Sequence, residues 1–309
     1  MRTALIRTLS IILAFVCGFF LPDLNEFSWM IRWLIILMLF ITFLGVRLTK
    51  LKPTGKHWLL IAINIAVGLG AYGVLHVMGH EELAIAAFFV GITPTATAAP
   101  VIMGFLDGSV EFVLTSLLLC NLVICLMLPF ILPSIVGKGG IEIYGSIAQS
   151  VGFVMIIPAL LALIVRKWKP RAILLPQKLK NVSFGAWIAC LVLISAHASF
   201  DINNRPELSS HIIWIIGAIS LFICAINFAI GYFIGGTMKR ECSQSLGQKN
   251  TTLTIFLAMI YAPSPIAALG PTFYVLWHNL WNAWQLHRHA LNKSQSSHSL
   301  NDENKMENQ

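Results

Sequence analysis

The sequence predicts an all-α polytopic membrane protein of ten transmembrane helices, and three observations lead there. Of the 309 residues 57% are hydrophobic and 11% charged, with a mean hydropathy of +0.78, too little polar surface for a soluble chain of this size. Apolar runs of roughly 18–25 residues recur between short polar breaks, the length that crosses about 30 Å of hydrocarbon at 1.5 Å per residue. The loops between the runs alternate in charge. Only helices and closed barrels satisfy the backbone in lipid. Runs such as 110–133 and 211–236 are apolar on every face, which excludes the alternating strands of a barrel.

Taken in order, the spans are expected at 4–21, 27–46, 57–77, 83–106, 110–133, 147–166, 183–200, 211–236, 245–269 and 271–290. The first, with Arg2 and Arg7 at its start, has the look of a signal peptide. No small-x-small site precedes Asp23, however, and its removal would leave nine spans and spoil the charge alternation. One set of loops carries Arg47, Lys50, Lys52 and Lys56, then Arg166, Lys167, Lys169, Arg171, Lys178 and Lys180, then Lys239 and Arg240, then Arg288 and Lys293. The opposite set carries Asp23, Glu26, Glu81, Glu82, Glu142, Asp201 and Glu207, with Lys138 and Arg205 as its cations. The positive-inside rule puts both termini in the cytoplasm, as expected of a bacterial inner-membrane protein. The net charge of +8 is then a topology signal that asks for the lipid bilayer and no nucleic-acid partner.

Cys17, Cys120, Cys125, Cys190, Cys224 and Cys242 lie in apolar runs or beside a basic loop, without CxxC or Cys/His spacing. They read as small hydrophobes, with no metal or other cofactor implied. The polar stretch 294–309 lacks apolar periodicity and is expected to be disordered.

Five spans, a strongly basic loop region and five more suggest two repeats, the second inverted because five is odd. The expected division is 1–133 for the first repeat, 134–146 for an external linker, 147–290 for the second repeat and 291–309 for a cytoplasmic tail. The fourth segment of each repeat is interrupted: Thr93-Pro94-Thr95-Ala96-Thr97-Ala98-Ala99-Pro100 in one, Ser243 through Thr252 in the other. A single proline would read as a kink. Two prolines enclosing three threonines, matched by a break in the other half, point instead to irregular backbone lining a binding site. Half-helix N-termini there would favour an anion.

These segments resemble the bile acid:sodium symporter family. Phe89-Val90-Gly91-Ile92-Thr93-Pro94-Thr95-Ala96-Thr97-Ala98 is similar to its first crossover, Gly247-Gln248-Lys249-Asn250 to its Gly-x-Gln-Asn crossover, and Trp277-His278-Asn279 to the Trp-His-Asn near its C-terminus. The resemblance runs in register from the second span to the tenth. It implies broken fourth and ninth helices that cross near the midplane, and a small organic anion as substrate. It makes Thr95, Thr97, Ala98, Gln248, Asn250 and Asn279 the solute-binding candidates, with Thr97 and Asn250 at substrate-facing positions.

The departures concern sodium. Ser245 stands at the family's glutamate position and Lys249 at its glutamine; Ala99 and Pro100 replace a serine and an asparagine, Val113 and Leu117 two hydroxyls, and Asn64 a glutamine. Sodium wants an oxygen cage with a negative charge nearby, so no sodium is expected.

Lysine at mid-membrane depth is costly and by default functional, unless Lys249 belongs to the loop with Lys239 and Arg240. At the crossover its ammonium would stand in for sodium, joining the broken helices through carbonyls and amide oxygens, or would exchange a proton during transport. Ser245, Asn64 and His278 complete the expected coupling group. His278 and Asn279 would orient the crossover or line the cavity, with a buried, hydrogen-bonded histidine as the alternative. Arg32, flanked by Trp29 and Trp33, reads as an interface anchor.

The expectation is therefore a secondary transporter working by alternating access, sodium-independent, with a sodium- or proton-coupled symporter and a passive channel as alternatives. An enzyme is not expected, since no paired acids, Ser–base set or HExxH lies within the spans. Thr93 stands where arsenite exporters of a neighbouring branch place a cysteine.

Overall fold

Long apolar stretches carry the described residues almost entirely into helix, even through Pro129, Pro133, Pro158 and Pro271, which lie inside helices. The computed structural model describes residues 2–46, 51–137, 141–204, 210–264 and 266–307. They form α1 (Arg2–Phe20), α2 (Met30–Leu44), α3 (Gly55–Val77), α4 (Glu81–Ile92), α5 (Ala99–Phe105), α6 (Val110–Ile135) and α7 (Ile141–Trp168), then the one-turn α8 (Leu175–Lys178), α9 (Lys180–Asn203), α10 (Ser210–Gly235), α11 (Lys239–Gly247), α12 (Thr251–Tyr261) and α13 (Ile266–Glu307). No strand occurs among the described residues.

Among the described residues, five stretches are long and apolar enough to cross a membrane: Gly55–Val77, Val110–Ile135, Ile141–Trp168, Asn181–Phe200 and His211–Gly247. The last runs through α10 and α11. Large apolar side chains such as Phe130, Trp214 and Phe233 face outward with 72%, 74% and 80% of their surface exposed, which suits lipid and not water. This is an all-α, membrane-embedded protein.

The helices pack as two groups. In one, α1 lies on α9 and α2 lies on α7 and α9; in the other, α3 lies on α4, α10 on α11 and α13, and α13 on α4 and α12. Lipid offers no hydrophobic drive for helix association, so close van der Waals fit must supply it. Glycines provide that fit. A Cβ on Gly91 of α4 would stand 2.5 Å from the Cα of Gly68 on α3, and one on Gly231 of α10 would stand 2.6 Å from the Cα of Ser243 on α11. Hydroxyls add to it across α1 and α9, where Ser195 Oγ donates to the Phe15 carbonyl and Ser199 Oγ to the Phe19 carbonyl, each at 2.7 Å. The first apolar segment is thus knitted into the fold.

Several boundaries differ from the sequence expectation. The first interruption covers 93–98, because Ala99 and Pro100 already open α5; proline is tolerated in a first helical turn, where its missing N–H is not needed. The second covers 248–250 only, since Ser243–Gly247 close α11. Lys239 and Arg240, expected in a loop, form the first turn of α11. The backbone is helical to Glu307, including most of the stretch expected to be disordered; from Thr272 to Glu307 no glycine or proline interrupts the helix that α13 begins. Arg47, Lys50, Lys138, Arg205 and Glu207 lie outside the described residues.

Candidate functional site

Where the chain leaves α4 and α11, the two interruptions meet. Pro94 has no N–H to continue α4, and Thr93 closes that helix by donating from its hydroxyl to the Phe89 carbonyl. Its hydroxyl also pairs with that of Thr254 on α12, 2.8 Å away. Thr95 and Lys249 form an isolated antiparallel bridge. Around it the Ala96 N–H donates to the Gln248 carbonyl at 2.8 Å, and the Asn250 N–H to the Pro94 carbonyl at 2.7 Å. Each interruption thus satisfies backbone groups of the other, as buried irregular backbone must.

Side chains brace this bridge. Thr95 Oγ1 donates to the Ser245 carbonyl at 2.7 Å. Asn121, in the middle of α6, donates to the Thr95 and Leu117 carbonyls, both at 2.8 Å. Tyr274 on α13 donates to the Gly247 carbonyl at 2.8 Å and accepts from Asn227 Nδ2 of α10 at 3.3 Å.

Lys249 is 1% exposed, which excludes the loop reading. Its Nζ donates to Asn64 Oδ1 of α3 and, at 3.1 Å, to the Gly91 carbonyl of α4. Asn64 turns its amide nitrogen to the Ile92 carbonyl at 3.1 Å. Lys249 Nζ and its amide partner therefore cap the C-terminus of α4, where carbonyls lack intrahelical donors and the helix dipole is negative. No carboxylate pairs with Lys249 among the described residues. The compensation comes from dipoles.

The other candidates divide by exposure. Thr95, Gln248, Ser245, Asn64 and His278 are buried, at 2, 2, 2, 2 and 3% exposure, whereas Thr97, Ala98, Asn250 and Asn279 are half-buried. Thr95 and Gln248 are engaged in the crossover itself, Gln248 through an amide chain in which Gln244 Nε2 donates to Gln248 Oε1 and, at 3.1 Å, to Asn282 Oδ1. Asn279 donates to the Val275 carbonyl of its own helix at 2.6 Å. His278 packs edge-on against Tyr274, and its Nδ1, like Ser245 Oγ and Asn250 Nδ2, is a buried polar atom without a partner. Buried donors without partners are rare, which marks Asn250 Nδ2 as a donor that the protein itself leaves unsatisfied. Ala99, Val113 and Leu117 are 0, 0 and 3% exposed, and Ala99 and Val113 pack in an apolar cluster with Met103, Cys242 and Leu246.

Sequence reasoning missed Asn121, Asn227, Gln244, Thr254, Tyr274 and Asn282. Asn121 and Asn227 carried a usable signal: each is a lone amide in the middle of an apolar run, a cost that demands a partner in the bundle. Gln244 gave less, standing among other polar residues just before the expected ninth span.

No protein-family model matches the sequence, and no curated protein matches it.

Proposed function

We propose that this protein is a secondary transporter of a small organic anion, working by alternating access around the crossover, and that Lys249 serves there as a fixed cation in place of a sodium ion. The observation that carries the reading is the fully buried side chain of Lys249, whose Nζ reaches from the second interruption to Asn64 and the end of α4. A charge at this depth is expensive unless it has a function. The resemblance to the bile acid:sodium symporter family supplies the reason for its place. The side chains that would hold sodium are missing, and apolar ones stand at Ala99, Val113 and Leu117.

Ten spans in two inverted repeats are supported by the way the contacts pair. Exchanging the halves turns the α1–α9 contact into α7–α2, α3–α4 into α10–α11, and α5–α6 into α12–α13, and all of these contacts occur. The cytoplasmic placement of the basic loops is supported by their mutual contacts. Lys56 Nζ donates to the Gly235 carbonyl, Arg240 Nη1 to the Leu106 carbonyl at 3.5 Å, and His289 Nε2 lies 3.0 Å from Asp107 Oδ2. Three segments of the basic set, together with the turn at Leu106 and Asp107, thus share one end of the bundle. Asn250 Nδ2, together with the half-buried Thr97 and the N-terminus of α12, gives an anion its hydrogen bonds and positive dipole end.

The deciding experiment is uptake of a panel of radiolabelled carboxylates by proteoliposomes, with sodium or potassium outside at equal ionic strength. Saturable uptake that ignores the choice of cation is expected. Uptake of no member of the panel, uptake that never saturates, or uptake that requires sodium would overturn the reading.

A further inference from the structure

Away from the crossover, a cavity of about 390 Å³ lies between the start of α2, the far end of α12 and α9. Its walls include Trp29, Arg32, Trp33, His197, Phe256 and Met259. Phe256 and Met259 lie two turns or so beyond Asn250 on α12, about 9–14 Å along the axis at 1.5 Å per residue. The cavity is therefore a second place on the same half-helix that leaves the crossover.

Arg32 is the unusual member. Its guanidinium carbon stands 5.1 Å from the Phe256 ring centroid and 6.0 Å from that of Phe153 on α7. Trp33 meets the same Phe153 ring edge-on at 5.9 Å. Among the described residues no hydrogen bond or ion pair engages its five N–H donors, although it is half-buried. An interface anchor would extend toward headgroups; this side chain instead lies over the Phe256 and Phe153 rings. His197 is set differently, with Nδ1 held by Asn25 and near Ser28 Oγ.

We propose that this cavity is a binding site for organic carboxylates with a flat apolar body, in which Arg32 takes the carboxylate through its N–H edge while Trp29, Trp33 and Phe256 cover the body. A guanidinium matches a carboxylate with two parallel hydrogen bonds, and an apolar cavity with one well-placed charged group is the usual form of a small-molecule site. The substrate class rests on the transport reading, but binding at Arg32 does not, and the two are separable by experiment.

The probe is 2-naphthoate, titrated calorimetrically into the full chain in maltoside micelles, with naphthalene-2-carboxamide as its neutral isostere and acetate as an anion without an apolar body. The wild type is expected to bind 2-naphthoate more tightly than either comparison compound. Arg32→Gln should weaken 2-naphthoate about 10- to 100-fold, the loss expected for hydrogen bonds to a charged group, and leave the carboxamide unchanged, which also shows that the variant is folded. Arg32→Lys should fall between, since it keeps the charge and loses the fork. Phe256→Leu, which keeps Arg32 but removes its ring, should weaken both aromatic compounds. Lys249→Gln should leave this titration unaffected. Naphthoate binding that survives Arg32→Gln, is abolished by Lys249→Gln, or is absent in the wild type would overturn the proposal. So would phosphatidylglycerol in mixed micelles competing better than soluble carboxylates, which would reassign the cavity to a lipid headgroup. Arg32-dependent binding in a protein that transports no carboxylate would sink the transport reading and leave this one standing.

Discussion

Lys249 brings an amine into the centre of the bundle and satisfies it with an amide oxygen and a helix-end carbonyl. Two acceptors thus depend on one side chain. Lys249→Gln keeps a donor for one of them and Lys249→Met keeps none, so the methionine variant should be the less stable of the two by about 1 kcal/mol or more in detergent melts. Both should lose transport in proteoliposomes while purifying as folded protein. If Lys249→Gln transports normally, the fixed-cation role is wrong. Thr95 and Asn250 should separate in the same experiment. Thr95→Val removes the hydroxyl that holds the Ser245 carbonyl and should cost about 1 kcal/mol of stability. Asn250→Ala removes an amide nitrogen with no protein partner, so its melting temperature should hold while solute affinity falls about fivefold. The reverse pattern, stability lost at Asn250 and binding lost at Thr95, would move the solute to the other side of the bridge.

At the scale of elements, the crossover depends on how closely α3 approaches α4. Gly91 and Gly68 allow it: the carbonyl that Lys249 reaches belongs to Gly91 itself, and a methyl group there would sit 2.5 Å from the Gly68 Cα. Gly91→Ala should therefore cost about 1–3 kcal/mol through overpacking, read as a lowered melting temperature. Gly73, also on α3, has nothing within 4 Å of its would-be Cβ; Gly73→Ala should be neutral or stabilising by up to about 1 kcal/mol through helix propensity. Equal effects at the two positions would show that the contact between α3 and α4 is looser than described.

For the whole molecule, the proposal that Lys249 serves as a fixed cation predicts indifference to sodium. A ligand at a hundredfold excess over its dissociation constant adds about 2.7 kcal/mol to stability. No melting shift specific to sodium over potassium should appear at matched ionic strength; such a shift would falsify the fixed-cation reading.

Composition and apolar run length were enough to determine that this chain is helical and membrane-embedded, because lipid leaves so few ways to satisfy a backbone. The positions of both interruptions were legible too, since Pro94 and Pro100 enclose Thr95 and Thr97 within an apolar run and Ser243 through Thr252 break another. Their edges were less so: whether Pro100 ends a break or opens a helix depends on the turn it occupies, and it opens α5. Lys249 could be singled out from its type and depth, but not its partners. That the Thr95 and Lys249 backbones pair, that Asn121 and Tyr274 brace them, that Thr95 faces the protein while Asn250 keeps an unsatisfied donor, and that Arg32 lies over Phe256 were all decided by tertiary structure. The physical reason is range. Helix formation and membrane insertion are set by residues a few positions apart, whereas each of these contacts joins segments separated by 26 to more than 200 positions, and only the packing of glycines and lone amides between helices brings them together.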